Sequence, residues 1–186
     1  MKDLVHYIHL MEVAQGDIKQ NPLTFGKGDL HPVMSKETID YHYTGLASKY
    51  FERYNKGEGD PKFNFGGATL HNLFFANLKT PGGANKPTGA SKELIEKKYS
   101  DFDKFKDAVE KEAMAIQGSG WVYMDTAGKL HTIHNHEYRT GMKIALLIDW
   151  WEHAWALDYQ QDKGKYLNNI WRIIDWNIVN DRLTGE

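Results

Sequence analysis

Apolar residues recur at helical spacing over much of this chain and switch to strand spacing once, in its second half. Between about Ser35 and Asn55, Ile39, Tyr43, Leu46, Ala47 and Tyr50 fall on one face of a helix. Ser35, with Glu37 in the first turn, marks its start, and Asn55-Lys56-Gly57-Glu58-Gly59-Asp60-Pro61 closes it. A second helix is expected over about 64–79, with Ala68, His71, Leu73, Phe74, Phe75 and Leu78 largely apolar; the short polar connection makes the two an antiparallel hairpin. The run 80–89 is dense in Gly and Pro and forms the strongest boundary. Beyond it Ser91 is expected to cap a helix to about Tyr99. Asp101 is expected to cap another carrying Phe102, Phe105, Val109, Ala113 and Ile116. The period then shortens. Residues 121–124 and 130–134 around Asp125-Thr126-Ala127-Gly128 predict a β-hairpin, and 143–148 a third strand. Helices follow over about 151–160 and 163–175, with a short one to Leu183. Leu4, Val5, Ile8, Met11 and Val13 predict a short helix near the start. The fold class is α+β: an N-terminal antiparallel helical hairpin, then helices around a three-stranded antiparallel sheet. The expected divisions are 1–20 as an unassigned extension, 21–89 as the helical hairpin and 90–186 as the α/β part.

Composition narrows the chemistry. At 186 residues the chain can bury a sizeable core, and 10 Tyr, 8 Phe and 6 Trp supply large aromatic groups for it. The net charge of −2 argues against wrapping nucleic acid, which needs a concentrated basic face. No apolar run approaches the roughly 18 residues of a membrane span, nor the apolar core of a secretory leader, so a cytoplasmic protein is expected. Cysteine is absent, which removes disulfides, thiolate metal sites and cysteine nucleophiles. Any metal would have to be held by His, Asp and Glu.

Nine histidines are available, and one stretch singles some of them out. Asp149-Trp150-Trp151-Glu152-His153-Ala154 follows the apolar run 144–148, so a carboxylate at a strand exit and an imidazole four residues later can converge where the chain turns into a helix. Both suit iron, manganese or zinc. Taken alone, the same pair is also a helix cap beside an ordinary buried histidine. His42 and His71 each sit on a largely apolar face of the two hairpin helices. Three imidazoles and one carboxylate would leave an open position on a metal, as a redox or hydrolytic site requires.

With these residues in view, the chain resembles the iron/manganese superoxide dismutases. Asp149 to Ala154 is similar to that family's D-x-W-E-H-A signature, and 35–43 to its first metal-binding helix. Pro81-Gly82-Gly83 with Pro87-Thr88-Gly89 is similar to its linker, and Gly118-Ser119-Gly120-Trp121 to its entry into the sheet. The resemblance covers about residues 22–183. It implies one Fe or Mn ion per subunit, ligated by His42, His71, Asp149 and His153, with superoxide as substrate and a homodimer or dimer of dimers as the assembly. It implies a catalytic role for Tyr50 at the mouth of the site and an aromatic cage of Trp121, Trp151 and Phe75, the last where many members carry Trp. Glu152 would contact the metal-binding histidine of the other subunit.

Departures from the family pattern are informative. Members place a hydrogen-bond donor, often Gln, beside the metal's solvent ligand, either four residues before the second ligand or from the loop after the second strand. The first position is Gly67 here and the second is His136, which is similar to members where a His fills this catalytic role and favours iron. His131 and His134 are expected on the strand surface. A His and a Tyr usually bonded across the dimer interface are replaced by Leu46 and Ala156, which puts subunit coupling in question. A metal-binding member with weak turnover and an interaction role, and a hydrolase or oxygenase on the same ligands, remain alternatives at this level.

Overall fold

The computed structural model describes residues 17–185; the helix expected near the start lies mostly outside the described residues. Ser35 opens helix α1 (Lys36–Ile39), its side chain accepting the Thr38 N–H at 3.1 Å. The single long helix expected from there does not form as such. Asp40–Ala47 is a π-helix, and the α form resumes in α2 (Ser48–Lys56). Apolar periodicity cannot reveal this, because a wider turn leaves the buried face continuous while rotating the residues beyond it. Gly57, at φ 68°, ends α2.

Asp60-Pro61 belongs to the next element rather than the last. Asp60 accepts the Phe63 N–H at 2.7 Å and Pro61 takes the first helical position, so α3 runs Pro61–Ala76, earlier at both ends than expected. α4 (Gly89–Tyr99) likewise starts before Ser91: Thr88 is its N-cap residue, and the Ser91 hydroxyl donates to the Thr88 carbonyl at 2.8 Å from within the first turn. Asp101 caps α5 (Phe102–Ala115) as expected, accepting from Lys104 N–H at 2.7 Å.

Strands β1 (Gly120–Asp125), β2 (Leu130–His134) and β3 (Ile144–Asp149) form one antiparallel sheet in the order β2-β1-β3. The register sets Trp121 on the central strand opposite both Ile133 and Asp149. β3 is buried along its whole length, which is why its sequence is a continuous apolar run and not an alternating one.

After β3 the chain makes a 3-10 turn (Glu152–Ala154), then α6 (Ala156–Tyr159), α7 (Lys163–Ile170), a second 3-10 turn (Trp171–Ile173) and α8 (Trp176–Thr184). The two continuous helices expected here are broken at Trp155, where the backbone leaves helical geometry (φ −138°), and at Ile174, which is extended (ψ 128°). Asp175 caps α8 from outside, accepting the Asn177 N–H at 3.1 Å. One apolar cluster joins helices and sheet: Leu70 and Phe74 of α3, Phe105 of α5, Trp121 and Val122 of β1, and Tyr166 and Trp176 from the C-terminal elements. Among the described residues no helix is long and apolar enough to cross a membrane.

Candidate metal centre

Four elements converge on one point. The π-helix delivers His42, α3 delivers His71, β3 ends in Asp149, and the 3-10 turn carries His153. One ligand atom from each lies within 4.8 Å of all the others. Asp149 Oδ2 is 3.2 Å from His42 Nε2 and 3.4 Å from His153 Nε2. His42, His71 and Asp149 are buried, and His153 nearly so.

The facing atoms have no partners. Nε2 of His42, His71 and His153 and Oδ2 of Asp149 are all buried without a hydrogen bond. Each such atom costs stability, so four pointing at one another demand a common occupant. Two of the four are tied down at the opposite end, whereas His42 Nδ1 is buried without a partner. His71 Nδ1 lies 2.6 Å from the Gly67 carbonyl, so this nitrogen carries the proton and Nε2 offers its lone pair. Asp149 Oδ1 accepts the Trp151 N–H at 2.8 Å, leaving Oδ2 for the centre, and Tyr166 Oη donates to the Asp149 carbonyl at 3.0 Å.

Protonation suits a cation. Burial lowers His42 to about 4, with the neighbouring His153 adding to the effect, and burial likewise holds His71 well below the ordinary imidazole value. Burial alone would raise the Asp149 carboxyl, but His153 and His42 outweigh it and hold it below the usual carboxylate range. At neutral pH the set is therefore two unprotonated buried imidazoles and one carboxylate, with His153 completing it. That is the donor state a metal needs, and a nitrogen/oxygen set of this kind takes a first-row ion.

His136 covers the centre from the β2–β3 loop. It is buried, 4.5 Å from the Trp151 ring in a stacked arrangement, 4.7 Å from Tyr50 and 5.6 Å from His71 between ring centroids. Burial lowers it to about 4, so it is neutral and has one N–H to donate. Trp121 Nε1 donates to the Asn135 carbonyl at 2.9 Å and also approaches His136 Nδ1 at 3.4 Å. An indole N–H facing Nδ1 favours the tautomer whose proton sits on Nε2, and that nitrogen is buried and unpartnered. Burial raises Tyr50 to about 12, so its phenol keeps its proton; its ring stacks 5.3 Å from His71.

Of the residues expected to form an aromatic cage, the Phe75 ring lies 4.8 Å from His42, Trp121 5.1 Å from His71 and Trp151 5.4 Å from His153. Glu152 is exposed and is not among the four clustered donors. His134 is exposed, and His131 pairs with Asp125 at 2.7 Å on the sheet, so neither joins the site.

Sequence reasoning overlooked the packing that seats His136. A Cβ on Gly66 would fall 2.0 Å from the His136 carbonyl oxygen, and one on Gly67 would meet the Tyr50 ring at 2.9 Å and His136 Cδ2 at 3.0 Å. Phe63 backs His136 at 4.7 Å. Adjacent glycines inside a helix cost stability, roughly 1 kcal/mol each, and are the signal that backbone approaches closely there.

Fold and site together define a candidate mononuclear metal centre of three His and one Asp, with the rings of His136 and Tyr50 packed beside it. Comparison with known proteins carries this further. Residues 87–182 match the family described as iron/manganese superoxide dismutases, C-terminal domain. The chain is 39% identical to the mitochondrial superoxide dismutase [Mn] of Aspergillus fumigatus, covering 87% of this chain and 90% of that protein. It is 33% identical to the superoxide dismutase [Fe] of Bacteroides fragilis (87% and 96%) and 34% identical to the superoxide dismutase [Mn/Fe] of Porphyromonas gingivalis (86% and 96%). The chain belongs to the iron/manganese superoxide dismutase family.

Proposed function

We propose that this protein dismutates superoxide with one iron or manganese ion held by His42, His71, Asp149 and His153. The observation that carries this reading is the convergence of four buried, unpartnered donor atoms from four separate elements. A redox-active ion there supplies one-electron cycling, so that two superoxide anions and two protons give oxygen and hydrogen peroxide; zinc, being redox-inert, does not serve.

The remaining steps belong to the chain. His136 and Tyr50 hold protons at the open face: Nε2–H of a neutral imidazole and Oη–H of a phenol that stays protonated at neutral pH. They orient the small anion and supply protons to the reduced product, while Trp121, Trp151 and Phe75 exclude bulk water. The aromatic enclosure favours a diatomic substrate over a larger organic one. Two units, 21–89 and 90–186, each donate two of the ligands. The protein acts as a homodimer, a reading supported by half-exposed Leu157 and by exposed Glu152 beside His153, and it acts in the cytoplasm, which cell fractionation would check.

Metal analysis with a superoxide assay tests the reading. Wild-type protein is expected to carry iron or manganese and turn over; His71→Ala is expected to lose both. His136→Ala is expected to keep the metal and lose roughly 100-fold in turnover, within the range for a positioned proton donor. Full activity in that variant would remove His136 from the mechanism.

A further inference from the structure

Two ligands come from helices before residue 80 and two from the sheet side, so the centre exists only if α3 and β3 are fixed against each other. The side chain at their seam comes from neither. Arg182, on α8, reaches between them: Nη2 donates to the Leu73 carbonyl at 3.0 Å, and Nη1 to the Ala145 carbonyl at 3.2 Å and to Asn77 Oδ1 at 2.5 Å. Leu73 lies two residues beyond His71 on α3, and Ala145 is on the strand that ends in Asp149.

Asn77 completes the link. It is fully buried, donates through Nδ2 to the Leu147 carbonyl at 2.7 Å, and accepts the Asp175 N–H on its own carbonyl at 2.6 Å. Leu147 lies two residues before Asp149. Among the described residues no carboxylate pairs with Arg182. A largely buried guanidinium without a counter-ion is costly, and here only oxygens offset it. One of them, the Leu73 carbonyl, is among the last four of α3, at the negative end of that helix. A planar fork serves these three acceptors from two separate nitrogens, whereas an ammonium carries all its donors on one atom and cannot reproduce that spacing.

We infer that Arg182 and Asn77 are a positioning pair that sets His71 against Asp149, so that the metal site is held in shape across the seam by a residue remote from the ion. The inference rests on the ligand assignment above. Neither residue touches the reacting atoms.

The test compares wild-type holoprotein, His71→Ala, Arg182→Lys and a control, Val109→Ala, which removes buried volume from α5 away from the seam. Three quantities are read: the thermal transition of the metal-free protein, the rate of metal release to a chelator, and the electron paramagnetic resonance spectrum of the bound ion. Arg182→Lys is expected to release metal roughly tenfold faster than wild type, the low end of what losing an outer partner of a metal site costs, with an altered spectrum. Val109→Ala is expected to lower the thermal transition of the metal-free protein while keeping the wild-type release rate and spectrum. Equal release from Arg182→Lys and Val109→Ala, with unchanged spectra, overturns the inference alone, provided His71→Ala has lost its metal. Metal retained in His71→Ala overturns the ligand assignment and the inference with it. If Arg182→Lys does not fold, Asn77→Ser reads the same seam from the α3 side, with the same outcomes.

Discussion

The two ligands from the helical pair and the two from the sheet side are built in different ways. Asp149 and His153 are four residues apart, and their geometry is local: the strand ends, Trp151 N–H fixes one carboxylate oxygen, and a single 3-10 turn brings the imidazole to the other. His42 and His71 lie on separate elements and meet only because the π-helix and α3 pack together, with their rings 5.0 Å apart. A local motif can be recognised in a sequence by its spacing. A pair assembled by helix packing leaves only two histidines on apolar faces, which many cores contain without a metal.

The sharpest way to break this comparison is to remove one ligand from each side. Asp149→Asn keeps the shape and removes the charge, and His71→Ala removes a helical imidazole. Each is expected to lower metal affinity by more than about 100-fold, beyond the range for outer partners, as read by metal analysis after dialysis against chelator. A much smaller loss from His71→Ala than from Asp149→Asn would mean that the sheet side binds the ion largely alone.

Next in size is Gly66→Ala. Its Cβ would overlap the His136 carbonyl oxygen, so the loop or α3 must move. The expected cost is about 3 kcal/mol in urea unfolding, at the upper end for overpacking, with displacement of His136 from the site. An effect near zero would show that the β2–β3 loop yields freely, and would weaken the case for a seated His136.

Acid titration sharpens the same contrast. His42 and His136 titrate at about 4 in the folded protein against an ordinary 6.5, and His71 is lowered too. The unfolded chain therefore takes up protons first, and the metal-free protein is expected to lose stability as pH falls from about 6.5 toward 4. Asp149, held below the usual carboxylate range, contributes stability that persists above that range and is lost only at lower pH. Chemical denaturation of metal-free protein at a series of pH values separates the two windows. A stability curve flat down to pH 4 would contradict the burial of neutral imidazoles.

The smallest effect is expected at the caps. Ser35→Ala on the helical side and Asp101→Ala on the sheet side each remove one side-chain cap bond and should cost about 1 kcal/mol by thermal unfolding. Only Ser35 lies just before a ligand-bearing element, so only its loss is expected to speed metal release as well.

The α+β class, the order of elements, the three strands and the Asp149/His153 pair were legible because each rests on a pattern carried by neighbours in sequence; His42 and His71 were singled out as ligands only by the resemblance to a known family. Ser35 and Asp101 announced their helices through a side-chain oxygen three residues before an N–H to be capped, and 144–148 announced a buried strand by unbroken hydrophobicity. Asp60, Thr88 and Asp175 were misjudged because a residue between two helices can close one or open the next, and only backbone geometry distinguishes these. The π-helix was invisible because it changes hydrogen bonding without changing which residues are apolar.

By itself the sequence determined what kinds of donor were available: no thiolates, and histidines and one carboxylate at spacings set by helix, strand and turn. It could not determine which histidines lose their water, which carbonyl fixes a tautomer, or that Gly66 and Gly67 leave room for His136, since these depend on distances between segments far apart in the chain. Arg182 is the extreme case. A lone arginine near the end of the chain carries no local pattern, and its three acceptors on α3, β3 and Asn77 come together only when the tertiary structure closes.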